Sequence, residues 1–290
     1  LEVKIAIVIA THNRKELLIK LIKQIDLLSI NHISLSIIII DDGCTDGTIE
    51  WLNKNAPTII IIKGTGKWYW TKCMNAGFKK AEELKNDYVL ILNDDNQITS
   101  DYLQTLLVDL TKIPKNSILG SASISIEKPH KIESAGTKKF SKLLLKLTPY
   151  FKGFKVIDHS FYGIHKTWTL SGRGTLIPIT LFKTLGYYDE NLVQYGSDDE
   201  FCLRANINKI PVYISWNARV YNNTLSTSVG TVFKKEGFFV VLKSFFNPYS
   251  VNSLKKNIYL YKKYGIKLLT PFYLIYSIIG TLKSYYFNYK

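Results

Sequence analysis

The sequence predicts an α/β fold built on a mostly parallel sheet covered by helices. Residues 4–10, 33–40, 58–62 and 87–92 are short apolar runs. They are continuous and not alternating, as in strands buried on both faces. Each is followed by a stretch with helical character, giving a β-α-β-α-β-α-β-α series. Two of the runs stop abruptly on adjacent acids, Asp41-Asp42 and, after Asn93, Asp94-Asp95. Open α/β sheets hold ligands at the ends of parallel strands, and carboxylates there suit a divalent cation and a phosphate-bearing substrate.

The elements follow in order. Behind the first strand, Leu17, Leu18, Leu21, Ile22, Ile25 and Leu28 share one broad helical face. A helix over 47–54 separates the second and third strands. Another runs from near Trp70 to about Leu84, with Met74, Ala81 and Leu84 inward and Lys79, Lys80 and Glu83 toward water. Thr99 or Ser100 is placed to cap the helix carrying Tyr102, Leu103, Leu106, Leu107 and Leu110, and Pro114 ends it. Strand 117–126 is more alternating, which places it nearer an edge. Residues 127–165, with Pro129, Pro149, Gly136, Gly153 and Gly163, read as an irregular insertion over the ligand edge of the sheet. Regular structure returns with strands 166–171 and 175–178 around a Gly172-Arg173-Gly174 turn. Helices over 180–185 and 198–206 and a strand over 212–215 come next. From about residue 230 the chain is helical and aromatic, broken at Pro248 and Pro271.

Composition narrows the class. The chain has 290 residues, 46% hydrophobic and 13% aromatic, which suits a folded enzyme-sized unit and excludes a disordered segment. Cys44, Cys73 and Cys202 have no metal-like spacing and an odd count, so a reducing, cytoplasmic setting is expected. Residues 3–10 read as a first strand, not as a secretory leader. The formal net charge is +15. Lys138, Lys139, Lys142, Lys146, Lys152 and Lys155 supply part of it. Lys234, Lys235, Lys243, Lys255, Lys256, Lys262, Lys263, Lys267 and Lys283 supply another part, among many Tyr, Phe, Ile and Leu. That mixture favours an anionic membrane surface over nucleic acid. The apolar run 268–282 is interrupted and shorter than the roughly 20 residues of a span, so a surface-lying or partner-packing helix is expected.

Five segments carry candidate chemistry. Thr11-His12-Asn13-Arg14 follows the first strand; its polar residues can meet a base or ribose and Arg14 a phosphate, or Thr11 and Asn13 can simply cap a helix. No GxGxxG follows that strand, which removes the main support for a nicotinamide cofactor. Asp41-Asp42-Gly43 ends the second strand, with Asp46 or Thr45 free to cap the next helix. Buried acids there need bonds or partners, and a base N–H or ribose hydroxyl would serve. Asn93-Asp94-Asp95-Asn96 offers oxygen ligands to Mg²⁺ or Mn²⁺, too few for a structural site, so substrate phosphates and waters would complete the shell. Asp198-Asp199-Glu200 opens a helix, where acids suit the dipole but a general base is equally well placed; Arg204 could bind an acid or orient one. Trp68 and Trp70 can stack on a sugar or plug a loop, and Asn75 is a polar residue on an otherwise packed helix. The histidines His12, His159 and His165 show no ligand spacing.

With these residues in order, the chain resembles glycosyltransferase family 2, the inverting enzymes of the GT-A fold, over about residues 3–222. The segments carrying the likeness are Thr11–Arg14, Asp41-Asp42-Gly43, Asn93-Asp94-Asp95 and the acidic helix start at 198–204. WTKCMNAG from Trp70 and SGRGTL from Ser171 add to it. The resemblance implies a Rossmann-like sheet over 1–228, with a nucleotide-sugar half (1–126), an acceptor half (127–228) and a helical C-terminal region (229–290). It implies that Thr11, Asn13, Arg14, Asp41, Asp42, Asn93 and Asp94 bind the nucleotide sugar, Asp94 in the variable middle position. It implies Asp95 as metal ligand and Asp198 as the base, with Glu200 as the second acid. Trp68, Trp70, Asn75, Arg173, Gly174 and Arg204 are assigned to the sugar or acceptor pocket. Two departures stand out: Asn93 replaces the usual first Asp, as in polysaccharide and rhamnosyl transferase branches, and residues 219–223 lack the usual late histidine, for which Asn222 is the substitute. The expected reaction moves a sugar from a UDP, dTDP or GDP sugar to a cell-envelope or capsular glycan, or a lipid-linked acceptor, aided by Mg²⁺ or Mn²⁺. The expected place is the cytoplasm, peripheral on the inner face of the plasma membrane. A sugar-phosphate nucleotidyltransferase is the main alternative, weakened because residues 11–16 lack a glycine-rich loop; a non-catalytic binding protein is the other.

Overall fold

The computed structural model describes residues 2–29, 32–128, 131–151, 155–222 and 237–288. The apolar runs form the strands expected of them. β1 (Val3–Thr11) and β2 (Ile33–Asp41) pair in parallel from Val3 opposite Ile33 to Thr11 opposite Asp41. β3 (Ile60–Lys63) extends the sheet beyond β2, and β4 (Tyr88–Ile91) lies on the other side of β1, both parallel. Successive side chains of β1 enter opposite layers, as strand geometry requires. Ala6 and Val8 pack with Cys73, Met74, Phe78 and Ala81 of α3 (Tyr69–Glu83). Ile5, Ile7 and Ile9 pack with Leu18, Leu21 and Ile22 of α1 (Lys15–Ile25) and with Leu103 and Leu106 of α4 (Tyr102–Leu110). α2 (Thr48–Asn55) buries Leu52 in the same second layer. α3 lies close on the sheet because Gly77 has no side chain: a Cβ there would stand 2.3 Å from Val8 Cγ1.

Several expectations are corrected. Leu84 is exposed, since α3 ends before it. Neither Thr99 nor Ser100 caps α4 with its side chain; Asp101 precedes the helix, and the Thr99 hydroxyl donates to the Asp101 carboxylate. β6 (Ile118–Ser125) is no edge strand but is buried at every residue. It is flanked by β12 (Thr175–Pro178) and β7 (Lys131–Ser134) on one path and by β13 (Val212–Asn222) on the other. Its serines point into polar contacts inside the fold, so alternation did not mean exposure. β12 inserts antiparallel beside β4. β13 is longer than expected, with a bulge between Ser215 and Arg219, and its end pairs with β5 (Asn96–Gln97). Only β11 (Ile164–Lys166) forms near the strand expected over 166–171. The 127–165 segment is more regular than its sequence suggests: besides β7 it holds β8 (Thr137–Ser141) paired with β9 (Lys146–Pro149), and β10 (Lys155–Val156). α5 (Thr180–Leu185) and α6 (Ser197–Ile207) follow the expected places.

The C-terminal region holds α7 (Phe238–Phe246), α8 (Leu254–Tyr264) and α9 (Thr270–Asn288). Pro271 stands in the first turn of α9, where its missing N–H costs nothing, so it starts a helix instead of breaking one. These helices pack on the sheet domain. Tyr249 stacks on Tyr69 with centroids 4.1 Å apart, and the Tyr261 hydroxyl donates to the Leu143 carbonyl at 2.8 Å. Tyr259 and Lys263 donate to Asp189 at 2.5 and 2.6 Å. Burial alone would raise the pKa of Asp189, but its bonds from Lys263, Tyr259 and Asn191 hold it well below the usual carboxylate range. A depressed acid stabilises the folded state above its unfolded pKa of about 3.9 and loses that contribution as pH falls. Protease sensitivity within residues 237–288 is therefore expected to rise below about pH 4, and a flat profile would argue against this contact. Among the described residues no helix is long and apolar enough to cross a membrane. Pro129, Lys152, Gly153, Asn223, Lys234, Lys235 and the boundary expected at 228–229 lie outside the described residues.

Candidate active site

The carboxyl ends of β1, β2 and β4 converge because their registers align: Val8 faces Ile91, and Thr11 faces Asp41. A cavity of about 770 Å³ opens there. Its floor is the acid corner. The Thr11 hydroxyl donates to Asp94 Oδ2 at 2.9 Å, and Arg14 donates to Asp94 Oδ1 at 3.1 Å and reaches Asp95 Oδ2 at 3.5 Å. Both acids are buried. Burial pushes Asp94 up to about 6; Arg14 opposes this and the Asp95 charge adds to it. Burial alone would lower the Arg14 pKa, but Asp94 and Asp95 raise it. Asp94, expected as the tolerant middle position, is therefore bonded to both Thr11 and Arg14. The Asn93 backbone N–H donates to Asn96 Oδ1 at 2.8 Å, while its own Oδ1 is buried without a hydrogen-bond partner and the residue lines the cavity. An unpartnered buried carbonyl is costly and suits a ligand.

Asp42 organises the adjoining loop. Its carboxylate accepts N–H bonds from Gly66 at 2.8 Å, Trp68 at 3.1 Å and Tyr69 at 3.0 Å, at the start of α3, where the helix dipole favours an anion. Tyr69, at a positive φ of 55°, and Trp70 line the cavity. Trp68 does not; it packs against the core. The Trp70 ring lies flush on Gly172, where a Cβ would meet it at 2.2 Å. Asp41 accepts from the Cys44 N–H at 2.9 Å and borders a second recess of about 240 Å³ with Cys44, Thr45 and Lys63. Asn13, at φ 53°, accepts from the Thr45 N–H at 2.7 Å and lines neither recess; it ties two loops together. Asp46 accepts from the N–H groups of Lys15 at 2.9 Å and Thr48 at 3.2 Å, the first residues of α1 and α2, but the N-cap position of α2 is Gly47, not Asp46.

The opposite wall comes from the start of α6. Gly196, at φ 91°, turns the chain so that Asp198 faces the cavity. The Gly172 N–H donates to Asp198 Oδ2 at 3.0 Å. Burial raises the Asp198 pKa, and bonds from the Asp199 and Gly172 N–H groups oppose it. Arg173 lines the cavity and pairs with Glu133 at 3.0 Å.

Other expected site residues lie elsewhere. Glu200 is fully buried on the far side of α6, bonded to Arg204 at 2.9 Å, Lys263 at 2.9 Å and the Tyr264 hydroxyl at 2.5 Å. Arg204 is spent on Glu200 and on the carbonyls of Leu185 and Tyr187. Asn75 cross-links α3 to the Tyr188 backbone and Glu190. Gly174, at φ 77°, packs against Tyr102 and Ser121. Asn222, expected in place of the usual late histidine, is buried among Asn96, Ser123 and Glu133 and does not line the cavity. None of the described residues of 127–165 lines the cavity. Sequence reading missed Ser171, Gly172, Gln194 and Tyr195, which do. Their signal was weak: they are ordinary loop residues flanking a glycine turn and a helix start. Among the described residues no group of three His, Cys, Asp or Glu is placed to hold a metal ion.

The comparisons agree with this architecture. S. aureus TarS 1–349 superposes with a TM-score of 0.55 at 15% identity, covering 87% of this chain and 68% of TarS 1–349. The same protein in complex with UDP-GlcNAc gives 0.57 at 13% identity, covering 96% and 81%. GalNAc-T7 with UDP, GalNAc and Mn²⁺ gives 0.61 at 14% identity, and the chain spans 58% of its length while 96% of this chain is covered. At such identities the likeness establishes the fold, which is GT-A. No curated protein matches significantly in sequence. The family model for Glycosyl transferase family 2 matches residues 6–169, which takes in β1 through β11 and the whole acid corner. With the sheet, the paired-acid strand ends and this match in agreement, the chain belongs to glycosyl transferase family 2 and is a glycosyltransferase.

Proposed function

We propose that the protein transfers a sugar from a nucleoside diphosphate sugar to an acceptor hydroxyl, with inversion at the anomeric carbon. The supporting observation is that Asp198 and the Asp94–Asp95 corner line one cavity from separate walls. Its volume falls within the range typical of small-ligand sites. Thr11, Arg14 and Asn93 line the cavity beside the acids, which supports assigning them to the nucleotide, and the recess beside Asp41 is assigned to the base. UDP in GalNAc-T7 and UDP-GlcNAc in TarS make a uridine nucleotide the first donor to test.

Asp95 with Asn93 Oδ1 fits a hard divalent cation, Mg²⁺ or Mn²⁺, whose remaining oxygens would come from the diphosphate and water. When bound, the cation neutralises charge that grows on the leaving diphosphate. Arg14 screens the same corner. Asp198 accepts the proton of the acceptor hydroxyl while the N–H groups of Gly172 and Asp199, one on each oxygen, hold its carboxylate in place. Trp70 and Tyr69 bound the sugar space. In this reading the hydroxyl attacks from the Asp198 side as the diphosphate departs toward Asp95, and such an in-line displacement inverts the anomeric centre. The test is a panel of labelled UDP, GDP, dTDP and CDP sugars with and without Mn²⁺, followed by product mass and the anomeric coupling constant. Release of nucleoside diphosphate with an inverted product supports the reading. Pyrophosphate release would instead favour nucleotidyl transfer.

The acceptor we propose is a cell-envelope or lipid-linked glycan met at an anionic membrane surface. Residues 237–290 contain no Asp or Glu. On α7 and α9, Phe239 is 76% exposed and Phe272 70% exposed, and Phe238 meets Tyr285 at 6.3 Å, joining the two helices. Exposed aromatic side chains beside Lys243, Lys262 and Lys267 suit interfacial binding to anionic lipid. The protein is expected to co-sediment with phosphatidylglycerol vesicles and not with phosphatidylcholine vesicles. Binding should weaken in high salt and in a Phe239→Ser, Phe272→Ser variant; equal sedimentation with both lipids would sink the idea.

A further inference from the structure

We propose that Glu133 is a positioning residue of the transfer site: it holds the Arg173 guanidinium at the cavity, where Arg173 donates to an oxygen of the acceptor beside the attacked hydroxyl. This rests on the reading of Asp198 as the base. Glu133 reaches its place through a β-bulge. Ser123 of β6 faces Ser134 of β7, and the next residue, Ile124, faces Ile132, so Glu133 is the extra residue between them. A bulge re-aims the side chain it carries and is common beside active sites. One carboxylate oxygen, Oε1, accepts from Arg173 Nη1 at 3.0 Å. The other, Oε2, accepts from the Ser123 hydroxyl at 3.1 Å and from Asn222 Nδ2 at 3.0 Å. The bonds continue toward the acid corner. Asn222 Oδ1 accepts from Asn96 Nδ2, and Asn96 Oδ1 accepts from the Asn93 N–H at 2.8 Å. Strand pairing keeps these residues in register, with Asn222 facing Asn96 across β13 and β5.

Two cavity-lining residues, Arg173 and Asn93, are thus joined behind the cavity by one unbroken run of hydrogen bonds. Its inner members Asn96, Ser123 and Asn222 are buried, and a buried polar network satisfied in this way is rigid. Arg173, by contrast, has donors left over. Among the described residues its guanidinium hydrogen-bonds to Glu133 alone, although its side chain is only 19% exposed. The fork carries more N–H groups than that one bond uses. Unspent donors on a mostly buried side chain that lines a cavity call for a ligand oxygen. The acceptor is the ligand favoured there. Gly172, the residue before Arg173, donates its N–H to Asp198. Burial raises the Asp198 pKa, and the Arg173 charge is among the effects that oppose it. Arg173 therefore stands with the base, while the diphosphate is assigned to the corner of Asp94 and Asp95.

The test uses the full chain as wild type, Glu133→Gln, Arg173→Ala, Arg173→Lys and the Glu133→Gln, Arg173→Ala double variant. Methyl glycosides of glucose, galactose, rhamnose and N-acetylglucosamine serve as acceptor probes with the wild type's best sugar nucleotide. Glu133→Gln is expected to raise the acceptor KM by about tenfold, the worth of one hydrogen bond to a charged group. Saturated kcat, and donor affinity by calorimetry, should stay within about twofold, the pattern of lost uniform binding. Arg173→Ala should do the same, and adding Glu133→Gln to it should change KM by less than about twofold, because Glu133 acts through Arg173. Arg173→Lys should match Arg173→Ala, since lysine lacks the fork that spans Glu133 and a ligand. Side-chain ¹⁵N spectra of labelled arginine, which need no turnover, should show the Arg173 signal shifted or broadened in Glu133→Gln. An unchanged acceptor KM in folded Glu133→Gln, additive effects of the two substitutions, or a loss that falls on donor affinity overturns the proposal. If Glu133→Gln does not fold, Arg173→Lys decides, and a wild-type acceptor KM there overturns it equally. A wild type that transfers no sugar fails the reading of Asp198 instead, and the arginine signal then upholds or overturns the hold of Glu133 on Arg173.

Discussion

Asp198→Asn is expected to lower transfer turnover by about 10²- to 10⁴-fold, the range general-base catalysis contributes. The substitution keeps the shape and one of the two acceptors that serve the Gly172 and Asp199 N–H groups, but removes the charge that takes the proton. Donor affinity and thermal stability should change little, because the acid corner at Asp94 and Asp95 lies on a different wall. An acid whose folded pKa is raised by burial contributes stability below its unfolded pKa and loses it as pH rises, so an uncharged amide is relieved of that cost at neutral pH. Single-turnover transfer with a saturating sugar nucleotide measures the effect. Near-wild-type turnover would remove Asp198 from the chemistry.

The opposite profile is expected two residues further on. Glu200→Gln should destabilise the fold by about 3–5 kcal/mol, the usual cost of breaking a buried ion cluster by removing one partner. Glu200 is fully buried and holds Arg204, Lys263 and Tyr264 together. Arg204 in turn ties down the carbonyls of Leu185 and Tyr187, so the loop before α6 and the helix α8 share one anchor. Urea denaturation should show a lower midpoint, with protease sensitivity appearing first within residues 237–288. Turnover per folded molecule should fall far less than for Asp198→Asn. A normal midpoint with lost kcat would return Glu200 to the catalytic role its sequence position suggested.

These two residues mark the limit of what local sequence could decide. Asp198 and Glu200 lie in one short acidic run, and both are chemically able to act as a base. Two positions on an α-helix are about 200° apart, so they face opposite sides. Which side is the cavity depends on where α8 packs, and that contact joins residues 200 and 264. Asn75 leaves the pocket for the same reason: a polar side chain on a packed helix looks like a ligand until its backbone partners are known. Arg204 takes the acid-holding role its sequence allowed, on Glu200, and not a place in the pocket. β6 was misread because its serines made an alternating pattern. In the fold the serines are buried and bond to Tyr102, Glu133 and Glu127, so polarity did not mark an edge.

The parallel sheet and its ligand edge are legible in the chain's own residues. Continuous apolar runs can be satisfied only by strands covered on both faces, and acids placed directly after them must emerge at the strand ends. The acid corner is legible too, because Thr11, Arg14, Asp94 and Asp95 follow their strands by short fixed distances. Only the tertiary structure decided which acid of α6 faces the cavity, that Asn222 is locked in the sheet, and that the C-terminal helices close on the site. Those outcomes depend on side chains far apart in the chain competing for the same buried partners. No local period or spacing encodes the result of that competition.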